Sequence, residues 1–414
     1  MKILHLVHQY FPEKVGGTEV YTRSLARQQA AQGHSVAIFA PASTTDATLE
    51  PEIEDAVRVY RVGIESRGAT AVFRSTFYHN RLNEAFAHIL SQEQPDVVHI
   101  QHLMGLPTSL MAQVQAAVIP YVITLWDFWW VCANAQLLTN YSQELCQGPR
   151  SFINCARCAL ARAGLPQFTP AFAPLALPLA ARNRRLQPVL TGADRLIAPA
   201  AFVRDWYADH GAPAAKLVVV PPGLNYPDML PIRESGVGER PFRIGYIGGI
   251  SWQKGVHLLL EAFLQLDNSE LWIAGDTNFD PQYTARLHEV ATTAVQFRGK
   301  LDRAAIWKML CQLDVLVVPS IWYETFGFVI SEAFVAGVPV IGFDLGVMAE
   351  RIRHGQDGLL LPVGDARALA QALCELQKNP VRLAQLQAGI QPVLTMAEHA
   401  EEITAVYVQI TNEK

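Results

Sequence analysis

DVLVVPSIWYETFGFVISEAF, residues 314–334, decides the architecture. It opens on an apolar run without alternation, Val315 to Val318, the pattern of a strand buried on both faces of a parallel sheet. After Pro319 and Ser320 the periodicity stops, and from Phe328 apolar residues recur at helical spacing. A strand feeding a helix through a loop is one step of a βα repeat, and the loop lies at the strand's carboxyl end, where open parallel sheets bind ligands. A helix starting near Phe328 offers the N–H groups of residues 327–330 to an anion. Glu324 stands before that helix and Glu332 about one turn inside it, both expected to face one crevice. Beside an anion site, two carboxylates suit sugar hydroxyls better than phosphate.

The same step recurs in both directions. Apolar strand candidates are KILHLV (2–7), SVAIFA (35–40), VRVYRV (57–62), DVVHIQ (96–101), YVITLW (121–126), RLIAPA (195–200) and KLVVVP (216–221). A second series follows: FRIGYIG (242–248), ELWIAGD (270–276), VQFRG (295–299), DVLVVPS (314–320), PVIGF (339–343) and GLLLP (358–362). Helical patterns separate them, so the chain reads as two doubly wound α/β domains with parallel sheets. PPGLNYPDMLPIRESGVGERP (221–241) is rich in Pro, Gly and charge and reads as the linker. The expected division is 1–222, with an insert at 132–190, then 223–395, then a C-terminal helix over 396–414 that crosses back to the first domain.

Composition excludes several classes. With 414 residues, 50% hydrophobic and 17% charged, the chain is not disordered, and a net charge of −5 argues against a nucleic-acid partner. The longest apolar stretch, AFAPLALPLAA (171–181), is too short to span a bilayer. The opening MKILHLV meets His8 at once and reads as a buried strand rather than an export signal, so the expected location is cytoplasmic.

The insert is unusual in two ways. Between residues 150 and 204 stand eight arginines against one acid, Asp194, while Pro166, Pro170, Pro174 and Pro178 recur every four residues. Proline at that spacing predicts an irregular apolar, basic segment, either packed as a connector or touching anionic membrane on its cytoplasmic face. Cys132-x13-Cys146-x8-Cys155-x2-Cys158 places four thiols within 27 residues. The closing Cys-x2-Cys is a half-site for tetrahedral thiolate coordination, which predicts a structural zinc, with an iron–sulfur cluster or four unlinked thiols as alternatives.

Glu324 through Glu332 resembles the Glu-x7-Glu signature of the retaining family 4 glycosyltransferases, whose GT-B fold sets two Rossmann-like domains facing a cleft. Gly245-Tyr246-Ile247-Gly248-Gly249-Ile250-Ser251-Trp252-Gln253-Lys254-Gly255 is similar to the family's first C-domain loop, whose lysine contacts the donor diphosphate. Gly16-Gly17-Thr18-Glu19, opening a helix to Gly33 with Thr18 as N-cap, is similar to its N-domain loop. The resemblance implies metal-independent transfer of a hexose from a nucleotide-sugar to a glycan or lipid-linked acceptor, as in polysaccharide biosynthesis. It places Lys254 and Glu324 in catalysis, and Asp127 joins them as the polar group nearest to Trp126. Gly16, Gly17, Gly249, Phe326, Gly327, Phe328, Val329 and Glu332 would join Lys254 and Glu324 around the donor, with His102, Trp126 and Asp127 on the acceptor side. Some members also carry cysteines after the corresponding N-domain strand. Two positions depart from the pattern: Gly249 replaces the usual Arg, and Trp126 the usual His. They motivate the alternative of a non-catalytic nucleotide-sugar-binding or partner subunit; an epimerase or phosphorylase on the same fold is the third reading.

Overall fold

The structure, a computed structural model, describes residues 1–13, 16–43, 49–64, 68–166, 172–227, 229–231 and 240–413. Parts of the proposed linker, and Phe168 and Pro170 of the insert, lie outside the described residues. The chain divides into a first unit, Met1–Gly223 with Met396–Lys414, and a second, Leu224–Thr395.

In chain order the first unit contains β1 (Lys2–Leu6), α1 (Gly17–Ala31), β2 (Ser35–Ala42), β3 (Glu52–Glu54), β4 (Val57–Gly63), α2 (Ala69–Ser75), α3 (Asn80–Glu93) and β5 (Val97–Ile100). It continues with α4 (Ser109–Ala116), β6 (Tyr121–Thr124), α5 (Ile153–Arg162), α6 (Phe172–Gly192), β7 (Arg195–Ala198), α7 (Ala201–Asp209) and β8 (Leu217–Val219). Its sheet runs β3-β4-β2-β1-β5-β6-β7-β8. All pairs are parallel except β3 with β4. β3, reading Glu-Ile-Glu, has no apolar run and is absent from the predicted strands; it adds by backbone pairing at an edge, where charge is tolerated.

The second unit holds β9 (Phe242–Ile247), α8 (Val256–Phe263), β10 (Ser269–Ala274), α9 (Pro281–Val290), β11 (Val295–Gly299), α10 (Arg303–Leu310) and β12 (Val315–Val318). After these come α11 (Phe328–Val335), β13 (Val340–Phe343), α12 (Val347–Arg351), β14 (Gly358–Leu361), α13 (Ala366–Lys378) and α14 (Pro380–Gly389). Its sheet is parallel throughout, in the order β11-β10-β9-β12-β13-β14. Ile244, Leu271, Val315 and Leu316 are fully buried in it. Each such side chain contributes ~1.5–3 kcal/mol of hydrophobic stabilisation.

The last helix, α15 (Met396–Asn412), belongs to the first unit and lies against α1. Polar pairs hold it there: Tyr407 Oη lies 2.5 Å from His99 Nδ1, and His399 Nε2 lies 2.6 Å from Tyr21 Oη. Under it, His5 Nε2 is 2.8 Å from Gln29 Oε1. Buried polar groups paired in this way give the docking a unique register as well as apolar contact.

Two local expectations fail. Residues 172–192 form a 21-residue helix, α6, with Pro178 and Pro188 inside it. Pro174 falls in the first turn, where an N–H has no helical partner anyway. Pro178 and Pro188 each remove one helical bond, and burial of Leu179, Leu186, Val189 and Leu190 offsets the loss. Thr18 is not the N-cap of α1, since the helix begins at Gly17 with Gly16 capping. The Gly16 amide is satisfied by Glu19, whose Oε2 accepts it at 2.7 Å, and the C-cap is Gln32 rather than Gly33.

Candidate functional site

In each sheet the strand order reverses at one place, between β9 and β12 in the second unit and between β1 and β5 in the first. Ligands of open α/β sheets lie outside the carboxyl ends of the strands at such switch points.

In the second unit the loops after β9 and β12 are fastened together. Gly255 has φ +69°, and a Cβ there would stand 1.9 Å from the Pro319 carbonyl oxygen. Only glycine allows that approach. Beside it the Ile321 amide donates to the Gln253 carbonyl at 3.0 Å. The result is an ion pair 70 residues apart in sequence: Lys254 Nζ donates to Glu324 Oε1 at 2.6 Å. The same oxygen accepts from Ser320 Oγ at 2.8 Å and from Trp322 Nε1 at 2.9 Å. Burial would raise the Glu324 carboxyl, but the Lys254 charge and these hydrogen bonds outweigh it and hold the group below its ordinary value. Lys254 also stands 4.9 Å from the Trp322 ring centroid.

Gly327, at φ +75°, caps α11. The Ile330 amide is donated to Gly327 O at 2.9 Å, so it leaves the expected anion-facing set. Phe326 is buried, with its ring 5.1 Å from that of Phe328 and the Arg351 guanidinium 3.9 Å from its centroid. Arg351 Nη2 donates to Ser331 Oγ at 2.6 Å. Glu332 is buried on α11 and pairs with Arg303, the first residue of α10. Burial raises the Glu332 carboxyl against the opposing pull of that arginine. The two glutamates thus have separate cationic partners. Gly249 leaves open space, since nothing lies within 4 Å of a Cβ placed there.

At the switch point of the first unit, His102 follows β5 and Asp127 follows β6. His102 Nδ1 accepts the Met104 amide at 3.0 Å, which puts the ring proton on Nε2, and Nε2 lies 3.0 Å from Asp127 Oδ2. Asp127 Oδ1 accepts the Trp129 amide at 2.8 Å. His8, just past β1, packs its ring 4.5 Å from His102, and its Nδ1 is 3.8 Å from Glu19 Oε1. Burial raises the Glu19 carboxyl. Gly16 reaches this cluster through Glu19, and Gly17 is the first residue of α1. Trp126 is a buried core residue, its Nε1 donating to Gln101 Oε1 at 3.1 Å and its ring meeting Tyr21 edge-on at 4.4 Å.

His8, Arg303 and Arg351 are absent from the sequence expectation, and Glu19 enters it only as the last residue of the Gly16–Glu19 motif. His8 is legible by the strand-end rule applied to β1; the arginines come from α10 and α12, whose approach to α11 no local pattern signals.

The four cysteines of the insert line one cavity of about 90 Å³ and are free thiols. Burial first, then the neighbouring thiols, push Cys155 up to about 12. Among the described residues no group of three or more His, Cys, Asp or Glu side chains stands in position to hold a metal ion, so the thiols share a wall rather than a coordination sphere. Nor is any helix among the described residues long and apolar enough to cross a membrane.

Comparison with known proteins agrees with this geometry. The family described as "Glycosyl transferase 4-like domain" matches residues 16–223, and "Glycosyl transferases group 1" matches residues 241–379. A phosphatidyl-myo-inositol mannosyltransferase of Mycobacterium leprae is 34% identical over 133 residues, 31% of this chain and 35% of the relative. A glycogen synthase of Mycobacterium tuberculosis is 32% identical over 146 residues, 34% of this chain and 35% of the relative. The chain thus spans 35% of the length of both relatives. Among solved structures, sucrose-phosphate synthase from Thermosynechococcus elongatus superposes with TM-score 0.73 at 19% identity, covering 100% of this chain and 99% of that one. Anabaena HepE in complex with UDP and glucose superposes with TM-score 0.66 at 20% identity, covering 99% of each chain. From its two family matches and the shared architecture, the chain belongs to the family 4 glycosyltransferases and has the GT-B fold.

Proposed function

We propose that the protein transfers a hexose from a nucleoside diphosphate sugar to a glycan or lipid-linked acceptor, with retention at the anomeric carbon and without a catalytic metal. The observation that carries this reading is the Lys254–Glu324 pair at the β9/β12 switch point, beside the N-terminus of α11. The UDP and glucose named in the HepE structure are ligands of the kind such a site would take.

In this reading the bond between the anomeric carbon and the diphosphate oxygen breaks while the acceptor oxygen bonds to the same face of the sugar. The acceptor proton passes to the departing phosphate oxygen, so no protein nucleophile takes part. Negative charge grows on the leaving diphosphate, and the protein's main task is to stabilise it. An ammonium has three donors, and Glu324 engages one of Lys254's, leaving the others for phosphate oxygens. The N-terminus of α11 adds the helix-end field. Glu324, kept ionised, accepts from sugar hydroxyls, and Glu332 from the ribose. In the first unit, Asp127 and His102 orient the incoming acceptor hydroxyl.

The acceptor side includes contact with anionic lipid at the cytoplasmic membrane face. Arg184 and Arg185 line a broad groove on α6 with Leu177, which is 72% exposed. Arg182, one of the eight arginines of the basic segment, takes no part: it is buried, stacked 4.4 Å from the Trp129 ring centroid and donating to the Trp129 carbonyl at 2.5 Å.

A second reading, a binding subunit without turnover, is favoured by the vacant side-chain space at Gly249 and the core position of Trp126. Incubation with a panel of nucleotide-sugars, with glycans or lipid extracts as acceptors, separates the two. Release of nucleoside diphosphate with a product of unchanged anomeric configuration is expected. Tight donor binding with no release for any member of the panel would favour the binding subunit.

A further inference from the structure

Sugar transfer leaves the four clustered cysteines of the first unit without a task. Their arrangement is that of a two-part clip. Cys132 precedes a small hairpin whose arms are bridged between Leu138 and Leu145, and Cys146 follows at its return, its amide donating to the Leu137 carbonyl at 2.7 Å. Cys155 and Cys158 come one turn apart on α5, so they share a helix face. Hairpin and helix therefore present two thiols each to one cavity.

The sulfurs meet both acceptors and donors: as thiols, Cys146 donates to the Gly148 carbonyl at 3.5 Å, Cys155 to Asn154 Oδ1 at 3.7 Å and Cys158 to the Leu138 carbonyl at 4.0 Å. The amide of residue 140 lies 3.3 Å from Cys158 Sγ, and the Asn154 side-chain nitrogen 3.8 Å from Cys146 Sγ. These two N–H donors suit the charge of a metal-bound thiolate, whereas the three S–H donations are given up when the thiols deprotonate. Four thiolates around a divalent ion carry a net charge of about −2. Arg162 lines the same cavity, and buried Arg182 lies within electrostatic reach of Cys132 and Cys155, so positive charge is at hand.

We propose that Cys132, Cys146, Cys155 and Cys158 bind one structural zinc ion that ties the hairpin to α5. The closed four-thiolate tetrahedron is the coordination that zinc takes in structural sites. The sulfurs as they stand do not converge on one point, so binding requires the hairpin and α5 to bring them together. Binding deprotonates all four and links metal affinity to the local fold. This site is independent of the sugar-transfer reading, and its test needs no substrate.

Protein purified without a metal-affinity column is analysed for metals and sulfide. About one zinc per chain is expected, lost in Cys155→Ser and in Cys158→Ser but kept in Cys374→Ser, a thiol of α13 outside the cluster. Because the first two variants can lose metal by unfolding, the wild-type protein is also followed under a strong chelator. Four thiols should then become reactive as zinc leaves, and cobalt added back should produce a thiolate-to-metal charge-transfer band. Metal-free wild-type protein with four reactive thiols, two disulfides by mass, or iron with sulfide in a brown protein would each overturn the zinc assignment.

Discussion

Lys254 and Glu324 share a hydrogen-bonded ion pair of 2.6 Å at the carboxyl ends of two adjacent strands, β9 and β12. The pair exists because the two loops touch at Gly255 and Pro319, not because either loop is rigid by itself. Glu324 has two further donors, Ser320 and Trp322, and so stays in place while Lys254 keeps N–H groups for another anion. In the proposed reaction Glu324 is the anchor and Lys254 the positive charge.

Gly255→Ala tests that coupling. A methyl group would meet the Pro319 carbonyl at 1.9 Å in a left-handed backbone conformation, so one loop must move. We expect a loss of at least ~2 kcal/mol in the second unit's stability and a fall in turnover. A melting temperature and turnover equal to wild type would show that the loops are not fastened there.

Asp127→Asn tests the first unit. The amide keeps the shape but gives up the charge that faces His102 Nε2. Transfer to acceptor is expected to fall by ~100-fold, with nucleotide-sugar affinity unchanged. An unchanged transfer rate would make the His102–Asp127 pair structural.

The imidazoles beneath α15 set a pH dependence of stability. Burial holds His5 and His399 at about 4, against 6.5 for a free imidazole, and holds His99 well below its ordinary value too. Between these values the unfolded chain takes up protons that the folded unit refuses, so unfolding binds protons and stability falls as pH drops. Above 6.5 all three are neutral in both states and contribute no slope. The first unit should therefore lose a few kcal/mol between pH 6.5 and 4, measured by denaturant melts. His399→Gln should flatten the slope, and a flat wild-type profile across that window would contradict the assignment.

Arg182 and its neighbours should respond oppositely. Arg184→Gln with Arg185→Gln is expected to leave the melting temperature unchanged and reduce sedimentation with anionic vesicles, by ~1 kcal/mol per well-placed arginine at low salt. Arg182→Gln removes a buried guanidinium from Trp129 and should destabilise the fold by ~2–4 kcal/mol. Equal sedimentation of the double variant and wild type, on neutral and anionic vesicles alike, would remove the membrane contact.

Most of the strands were legible because both sheets are mainly parallel and their central strands buried, which writes such a strand as an unbroken apolar run, as in Val315 to Val318. β3 was not, since an edge strand of Glu-Ile-Glu has only backbone pairing to define it. α6 was misread because proline spacing speaks only of lost helical bonds, while Leu186 and Leu190, buried in the native fold, contribute what spacing omits. In the site, Lys254 and Glu324 were readable as separate loop residues; their contact depends on Gly255 lying against Pro319, a tertiary fact. His102 and Asp127 were each visible at a strand end, but their hydrogen bond required the neighbouring register of β5 and β6.

The most direct measurement is the turnover of Lys254→Ala, read as nucleoside diphosphate release from the donor that the wild-type protein consumes. With Gly249 offering no side chain to share the charge, loss of the ammonium should lower kcat by ~100-fold or more. A kcat equal to that of the wild-type protein would contradict the assignment of Lys254 to the leaving diphosphate.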